Sequence, residues 1–299
     1  MKSPFVAGCC MALMLAGMAG PVRAQQDQPQ GELVPPTSAS DFTAAQLDTV
    51  LAGAWRSAAD RARDVYRHPK ATLQFFGVQP DQDVVEIDPA TGWYSEVLAP
   101  LLRDNGSYTA AEPLPSGSAE AKRDDAALRA KFAADPAVYG KATILQYDPQ
   151  APVFGKPGSA DAVLTFRNVH NWVQAGTAPA MFKGFFAVLR PGGVLGVVEH
   201  RAAAGATLAA VKGSGYLPVA YVEKLATAAG FKLDGSSEIN ANPKDTRNYA
   251  KGVWTLPPTL ALGVTDRARY LAIGESDRMT LRFVKPMPPA AASSVSPVL

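Results

Sequence analysis

Short apolar runs that alternate with amphipathic segments constrain this chain more than any other feature. The run DVVEI at 83–87 is apolar almost throughout, which is typical of a strand buried on both faces of a parallel sheet. The segment WYSEVLAPLLR that follows places its apolar residues at helical spacing. Six further strands are predicted at 106–112, 142–149, 160–170, 194–200, 231–239 and 279–286. This alternation predicts one α/β domain, a doubly wound and mostly parallel seven-stranded sheet with helices on both faces.

Helical segments are predicted before the sheet and between its later strands. Asp41 to Arg67 combines apolar residues at helical spacing with a polar face, and a short helix from Pro69 ends near Gly77. Two later helices are predicted at 177–189 and 219–230. The region from Asn240 to Asp277 has little hydrophobic periodicity, so we expect a long loop with short helices that caps the domain.

The N-terminus has the three-part layout of a secretory signal. Lys2 gives a positive start, the stretch from Ser3 to Val22 is uncharged, and Val22-Arg23-Ala24 offers small residues for cleavage after Ala24. An uncleaved membrane anchor is the alternative, but the best apolar core, Phe5 to Met18, is short and contains glycine. We therefore expect an exported protein, periplasmic or secreted.

The remaining boundaries follow from composition. Residues 1–24 form the predicted signal peptide, and 25–40 are rich in Gln, Pro and Ser, which predicts a flexible linker. Residues 41–286 form the predicted domain, including its N-terminal helices. The segment 287–299 is expected to be a disordered tail.

Cysteine usage and charge exclude several classes of site and partner. Both cysteines, Cys9 and Cys10, lie in the predicted signal, so the mature chain would carry no disulfide, thiol nucleophile or zinc-thiolate site. The full chain has 29 basic and 27 acidic residues, and removal of Lys2 and Arg23 leaves 27 of each. This balance favours neither nucleic acid nor an anionic membrane as a partner, and it leaves the oligomeric state open. Three scattered histidines without a helix-spaced His/Glu pair predict no metal site.

The chain resembles a known family in the segment after the first strand. The run EIDPATGWYSE at 86–96 is similar to the first motif of the class I S-adenosylmethionine-dependent methyltransferases. It is closest to a branch of bacterial predicted methyltransferases with an N-terminal signal, in which the run resembles EI-x-P-G-G-G-W-Y-T-E. The resemblance covers about 67–286, where further matching stretches are RHPKATLQFFG, DAVLTFRNVHNW, LRPGGVLGVVEHR, TAAGF and ESDRMTLRFVKP. It implies a Rossmann-like methyltransferase fold, S-adenosylmethionine as cofactor and methyl transfer to a small-molecule acceptor.

Candidate cofactor-binding residues lie after the strands, where open α/β sheets bind ligands. Glu86 and Gly92 belong to the first motif, and Glu86 either accepts from the cofactor's ammonium, fixes the loop, or only caps the next helix. Glu112 ends the second strand, where a carboxylate can accept from both ribose hydroxyls, unless it is a solvated loop acid. Asp148 matches the position that reads the adenine amino group, although a simple turn residue before Pro149 is the alternative.

Two residues depart from the family's glycine pattern. Asp88 and Ala90 stand where the family has glycine, which permits unusual backbone angles and close approach to a ligand. Asp88 either pairs with the cofactor's ammonium or repels its carboxylate. This departure, together with export, keeps open a second function, that of a non-catalytic binding or scaffold protein. A nicotinamide dinucleotide ranks lower, because residues 87–95 contain one glycine, Gly92, and no G-x-G-x-x-G.

The segment FRNVHNW carries the candidate catalytic residues. Methyl transfer depends mainly on positioning, and a base helps where an acceptor hydroxyl or acidic carbon must lose a proton. His170 is the candidate base, although it can equally hydrogen-bond a neighbouring loop. Asn168 is expected to orient the acceptor, and Trp172 to form a wall of the site. Arg201 is expected to form a structural ion pair at the end of the fifth strand, with Glu199 or with the neighbouring histidine.

Overall fold

The computed structural model describes residues 39–114 and 119–289. The predicted signal peptide and most of the predicted linker lie outside the described residues, as does 290–299 of the predicted tail. Within the described segments, no helix has both the length and the apolar character that crossing a bilayer requires.

Seven strands form one sheet, as predicted. They are β1 (Asp83–Ile87), β2 (Ser107–Pro113), β3 (Thr143–Tyr147), β4 (Ala160–Phe166), β5 (Leu189–His200), β6 (Lys232–Ser237) and β7 (Arg278–Val284). The strand order is β3-β2-β1-β4-β5-β7-β6, with β1 to β5 parallel and β7 antiparallel to both its neighbours. Because the chain moves outward from β1 in both directions, the order reverses between β1 and β4, which is where doubly wound sheets bind ligands.

Helices cover both faces of the sheet, which confirms the predicted doubly wound architecture. Those before β4 are α1 (Ala39–Leu51), α2 (Ala58–Arg61), α3 (Asp64–Arg67), α4 (Pro69–Phe76), α5 (Ser95–Leu102), α6 (Ala119–Ala134) and α7 (Pro136–Tyr139). Those after β4 are α8 (Val169–Ala175), α9 (Ala178–Val188), α10 (Val219–Ala228) and α11 (Arg267–Ile273). Successive residues of β1 serve the two cores, since Val84 packs with α1, α4 and α5 while Val85 packs with α9 and α10.

The predicted single helix from Asp41 to Arg67 is wrong, because the chain breaks it twice. The first break follows α1 at Gly53, where a Cβ would meet the Trp55 ring at 2.2 Å. The Trp55 indole then donates to the Glu96 carbonyl over 2.8 Å, which anchors this turn on α5. Ser57 caps α2 by accepting from the Asp60 N–H at 3.0 Å. Gly53 and Ser57 both lie in this first break, and a second break at Ala62 and Arg63 separates α2 from α3.

The predicted strand at 160–170 is also too long. β4 ends at Phe166, and Arg167 takes a left-handed backbone conformation with φ of +68°. The Arg167 N–H still donates to the Val198 carbonyl on β5 at 2.7 Å, so the chain leaves the sheet after Arg167, one residue past the end of β4. His170 therefore lies in the first turn of α8 rather than on a strand. The 240–277 region behaves as predicted, with a short 3-10 helix at Gly252–Thr255 and the two-turn helix α11.

Gly196 on β5 tests how tightly α4 packs against the sheet. A Cβ there would meet the Phe76 ring at 2.7 Å and Leu164 Cδ2 at 2.8 Å. Gly196→Ala should lower the free energy of unfolding by about 1–3 kcal/mol, the usual cost of overpacking a core. The matched control is Gly235→Ala on β6, where the nearest atom lies at 3.5 Å. Urea denaturation that finds equal losses in both variants would contradict this packing.

Candidate functional site

A cavity of about 780 Å³ opens at the carboxyl ends of the strands, around the point where strand order reverses. Its lining divides by strand. We call the part that follows β1, β2 and β3 the acidic half, with Glu86, Asp88, Glu112 and Tyr147. The part that follows β4 and β5, together with α3 and the approach to β7, is the basic half, with Arg67, Arg167, His170, His200, Glu275 and Ser276. Six of the eight residues that the sequence places in the site line this one cavity, namely Glu86, Asp88, Glu112, Asn168, His170 and Trp172.

The loop after β1 keeps the backbone angles that glycine favours. Asp88 has φ of +51°, Ala90 +52° and Gly92 +79°. For residues with a Cβ this left-handed region costs about 1 kcal/mol or more, so the surrounding structure must hold the loop in place. At Gly92 a Cβ would meet Leu128 at 2.7 Å, so the glycine that is retained is the one with least space.

Asp88 ties the loop to two other elements. Its Oδ1 accepts from the Tyr147 hydroxyl at 2.6 Å, and its Oδ2 accepts from the Trp172 indole at 2.8 Å. Burial raises the pKa of Asp88 to about 6, against the opposing effect of these two hydrogen bonds. Because β2 lies between β1 and β3, the contact with Tyr147 crosses the end of β2. We call this contact the Asp88 bridge.

Glu112 offers the clearest ligand-binding atom of the cavity. It is buried at the end of β2; its carboxyl shares a hydrogen bond with Asp125, and its Oε2 accepts no hydrogen bond from the described residues. Burial raises its pKa to about 8, with further contributions from a hydrogen bond to Asp125 and from the charge of Asp88. A buried acceptor without a partner is costly, so this oxygen is suited to a ligand that donates hydrogen bonds.

Glu86 is held from the sheet side. Its Oε2 accepts from the Tyr108 hydroxyl at 2.6 Å and lies 3.4 Å from the Ser95 hydroxyl. Burial raises its pKa to about 7, while both hydroxyls favour the ionised form. Its partners are hydroxyls on β2 and α5 rather than backbone N–H groups of the loop, so the roles expected for Glu86 from the sequence stay predictions.

Asp148 lies apart from the other predicted residues. It is exposed in the turn after β3, and its Oδ1 accepts from the Gln150 N–H at 2.9 Å. Its neighbours Tyr147 and Pro149 line the cavity, but Asp148 does not. The hydrogen bond is that of the turn residue named as the alternative, and the adenine contact stays a prediction.

Asn168 joins the two strands that flank the switch point. Its amide donates to the carbonyls of Ile87 at 2.9 Å and Asp88 at 3.2 Å. The side chain therefore holds the loop after β1 from the end of β4. Sequence reasoning placed Asn168 in the site but did not predict this contact, because nothing in FRNVHNW indicates which main-chain groups lie opposite.

His170 forms a dyad with Glu199. Its Nδ1 lies 3.0 Å from Glu199 Oε1, and its backbone N–H donates to Oε2 at 3.1 Å. Glu199 Oε1 also accepts from the His200 N–H at 2.7 Å. Since backbone N–H groups occupy both carboxylate oxygens, Glu199 acts as an acceptor and the Nδ1 proton belongs to His170. The Nε2 of His170 then carries the lone pair.

The predicted ion pair of Arg201 with Glu199 or His200 is wrong. Arg201 lies past the end of β5, where its guanidinium reaches Asp277 at 2.8 Å and Glu238 at 2.7 Å. His200 instead places Nδ1 2.5 Å from the Ser276 hydroxyl. The partners Asp277 and Ser276 come from a distant part of the chain, which local sequence cannot reveal.

The structure also brings together a cluster of possible metal ligands, His170, Glu199 and His200. The spacing of the histidines in the sequence did not predict it. The ligand atoms of the three residues lie within 4.8 Å of one another, a donor set that some metal ions use. However, the pKa of His200 falls well below its usual value, first through burial and then through His170, Arg167 and further arginines. The same positive potential opposes a divalent cation, so we assign no metal to the cluster.

Comparison with known proteins establishes the fold. No family model matches the sequence, and no curated protein matches it significantly. Among solved structures, the 4+2 cyclase SpnF aligns with a TM-score of 0.50 at 17% identity, over 84% of this chain and 97% of that one. A protein from Galdieria sulphuraria assigned as a sarcosine dimethylglycine methyltransferase aligns with a TM-score of 0.50 at 13% identity, over 76% and 86% of the two chains. With the observed strand order, these likenesses confirm the predicted Rossmann-like methyltransferase fold.

Proposed function

We propose that this protein binds S-adenosylmethionine and transfers its methyl group to a small-molecule acceptor. The observation that carries the proposal is Oε2 of Glu112, which is buried at the end of β2 and accepts no hydrogen bond from the part of the chain that the structure describes. Two adjacent ribose hydroxyls would supply the donors that this oxygen lacks. The loop after β1, with its left-handed residues, is the second feature that suits the cofactor, because it leaves the main chain beside the cavity.

Residues at the ends of different strands have different proposed roles. Glu112 would hold the ribose, and the loop from Asp88 to Gly92 would lie against the methionine end. The cofactor supplies an activated methyl group on a sulfonium, so that positioning accounts for most of the catalysis. Asn168 would act as a positioning residue, because its amide holds the loop after β1. This role replaces the contact with the acceptor that the sequence predicted.

His170 is suited to remove a proton from the acceptor. Glu199 fixes its Nδ1 proton, which leaves Nε2 as the basic atom of a ring that lines the cavity. The His200 ring lies 5.2 Å away and is kept neutral by its lowered pKa, so it adds no charge beside the base. This arrangement favours an acceptor with a hydroxyl, amine or acidic carbon.

One observation favours the second candidate, a non-catalytic binding protein. The Asp88 bridge crosses the end of β2, next to the place where Glu112 would hold a ribose. A cofactor must displace the bridge or lie above it, which lowers affinity. The predicted export points the same way, because cytoplasmically made cofactor would be scarce outside the cell. SpnF, named as a cyclase, shares the fold, so the fold alone does not decide the chemistry.

Calorimetry with S-adenosylhomocysteine tests the proposal through Glu112. Its pKa of about 8 means that the free protein holds a proton there at neutral pH, whereas a ribose diol favours the ionised carboxylate. Affinity should therefore rise roughly tenfold from pH 6.5 to 9 as that proton is lost. Glu112→Gln should weaken binding at pH 9 by about tenfold and flatten the pH dependence.

The control for this titration is Glu238→Gln, since that exposed carboxylate pairs with Arg201 away from the cavity. It should bind the ligand as the parent protein does. Absence of heat at millimolar ligand would exclude cofactor binding and leave the binding-protein alternative. Binding that Glu112→Gln does not change would show that the ribose lies elsewhere.

Substitutions of Asp88 separate the effect of its bridge from the effect of its charge. Asp88→Gly removes both and suits the φ of +51°, so it should tighten S-adenosylhomocysteine binding by about tenfold. Asp88→Asn removes the charge but keeps a side chain that can hydrogen-bond Tyr147, so a small gain is expected there. Equal affinities for all three proteins would show that the bridge does not restrict the site.

A further inference from the structure

Four arginines converge on one carboxylate at the basic half of the cavity. We call Arg63, Arg67, Arg167 and Arg278, together with Glu275, the arginine cluster. Three of the guanidinium groups pair with Glu275, that of Arg63 at 2.7 Å and those of Arg67 and Arg278 at 3.3 Å. These cations lower the pKa of Glu275 to about 2 despite its burial. The cluster therefore holds four positive charges against one negative charge.

Arg167 is the member without a partner. Its guanidinium makes no hydrogen bond or ion pair with any residue that the structure describes, although Glu275, Arg278 and Arg63 lie close enough to shift its pKa. Burial lowers that pKa to about 10, with Glu275 opposing the shift and Arg278 and Arg63 adding to it. The residue also occupies a left-handed backbone conformation, with φ of +68°. Strain of this kind concentrates at functional sites, because the rest of the fold must maintain it.

Arg67 shows that the excess charge is built into the fold. Its side chain is buried and lies over the Trp93 ring, 4.4 Å from the centroid. Its pKa is lowered, first by burial and then by Arg167, with Glu275 as the opposing carboxylate. Buried charges are usually paired, since desolvation costs several kcal/mol per ion. Arg167 lines the same cavity, is half-buried, and has no counter-anion among the described residues, so this part of the cavity is suited to an anionic group of a ligand.

The location of the arginine cluster indicates whether a bound anionic group would belong to the cofactor or to the methyl acceptor. Arg167 follows β4, whereas Glu112 lies at the end of β2, and β1 runs between these two strands, so about 10 Å separates them. Arg67, Arg167 and Glu275 line the cavity together with His170 and His200, and Arg167, Arg278 and Arg67 all lower the pKa of His200. A group held at Arg167 therefore lies beside His170, on the acceptor side of the cavity.

We propose that Arg167, supported by Arg67, binds a carboxylate or phosphate group of the methyl acceptor, so that the substrate is a small organic acid or phosphate ester. The assignment of this group to a methyl acceptor rests on the proposed function, whereas the presence of an oxyanion subsite does not. A planar guanidinium can hold either oxyanion through two parallel hydrogen bonds. The remainder of the acceptor then extends towards Nε2 of His170.

The first test uses probes that need no cofactor. Benzoate and inorganic phosphate are titrated into the full chain by calorimetry, with benzamide as the uncharged match for benzoate. At least one of the two anions should bind, whereas benzamide should not. Arg167→Gln should weaken the binding of that anion by about tenfold or more. Arg167→Lys should restore part of the affinity, which excludes misfolding as the cause. Arg190→Gln, at an exposed residue that pairs with Asp161 outside the cavity, is the matched control and should bind normally.

The second test asks whether the anion is the cofactor's own carboxylate. S-adenosylhomocysteine carries that group, and 5′-methylthioadenosine has the same adenosine without it. If the acceptor occupies the cluster, Arg167→Gln leaves both affinities within about twofold of the parent value. If Arg167→Gln weakens S-adenosylhomocysteine alone, the cofactor's carboxylate occupies the cluster and the assignment to the acceptor is overturned.

These outcomes separate the two proposals. Anion binding that depends on Arg167 supports the subsite even if S-adenosylhomocysteine fails to bind, in which case the proposed methyl transfer fails alone. Failure of both anions to bind the parent protein, or equal binding by Arg167→Gln, overturns the oxyanion subsite whatever the cofactor does. Binding of benzamide as tight as that of benzoate would also overturn it, because recognition would then not involve charge.

Discussion

The contact of Asn168 with the loop after β1 holds together the two strands between which the cavity opens. Its amide donates to the carbonyls of Ile87 and Asp88, and so joins β4 to β1 where the strand order reverses. This contact helps hold the loop in left-handed conformations that its side chains alone would not favour. Asp88 can then reach Tyr147 across β2, and the cavity divides into its acidic and basic halves.

The two halves show how one edge of a sheet can produce opposite electrostatic environments. On the acidic side, burial dominates and raises the pKa values of Glu86, Asp88 and Glu112 to about 7, 6 and 8. On the basic side, the surrounding guanidinium groups outweigh burial and lower the pKa of Glu275 to about 2. A ligand that spans the cavity should therefore present hydrogen-bond donors at one end and negative charge at the other.

Much of the fold could be predicted from the sequence, because strands buried on both faces appear as continuous apolar runs such as DVVEI. The strand ends then placed Glu86, Asp88, Glu112, Asn168 and His170 near one another, and the structure finds all five around one cavity. Partners from distant segments could not be predicted. Glu275 meets Arg67 across 208 positions of sequence, and no local pattern indicates such a contact. The Tyr147 and Trp172 contacts of Asp88 were missed for the same reason.

The proposed cofactor site depends on one contact, in which the Glu112 carboxylate holds a ribose at the end of β2. A crystal structure of the protein with S-adenosylhomocysteine, grown near pH 9, would reveal this contact. Both ribose hydroxyl oxygens should lie within hydrogen-bond distance of the Glu112 carboxylate, with Oε2 accepting from one of them and the Asp88 bridge displaced or covered. An adenosine bound elsewhere in the cavity, with no ribose hydroxyl near Glu112 Oε2, would show that Glu112 does not bind the cofactor.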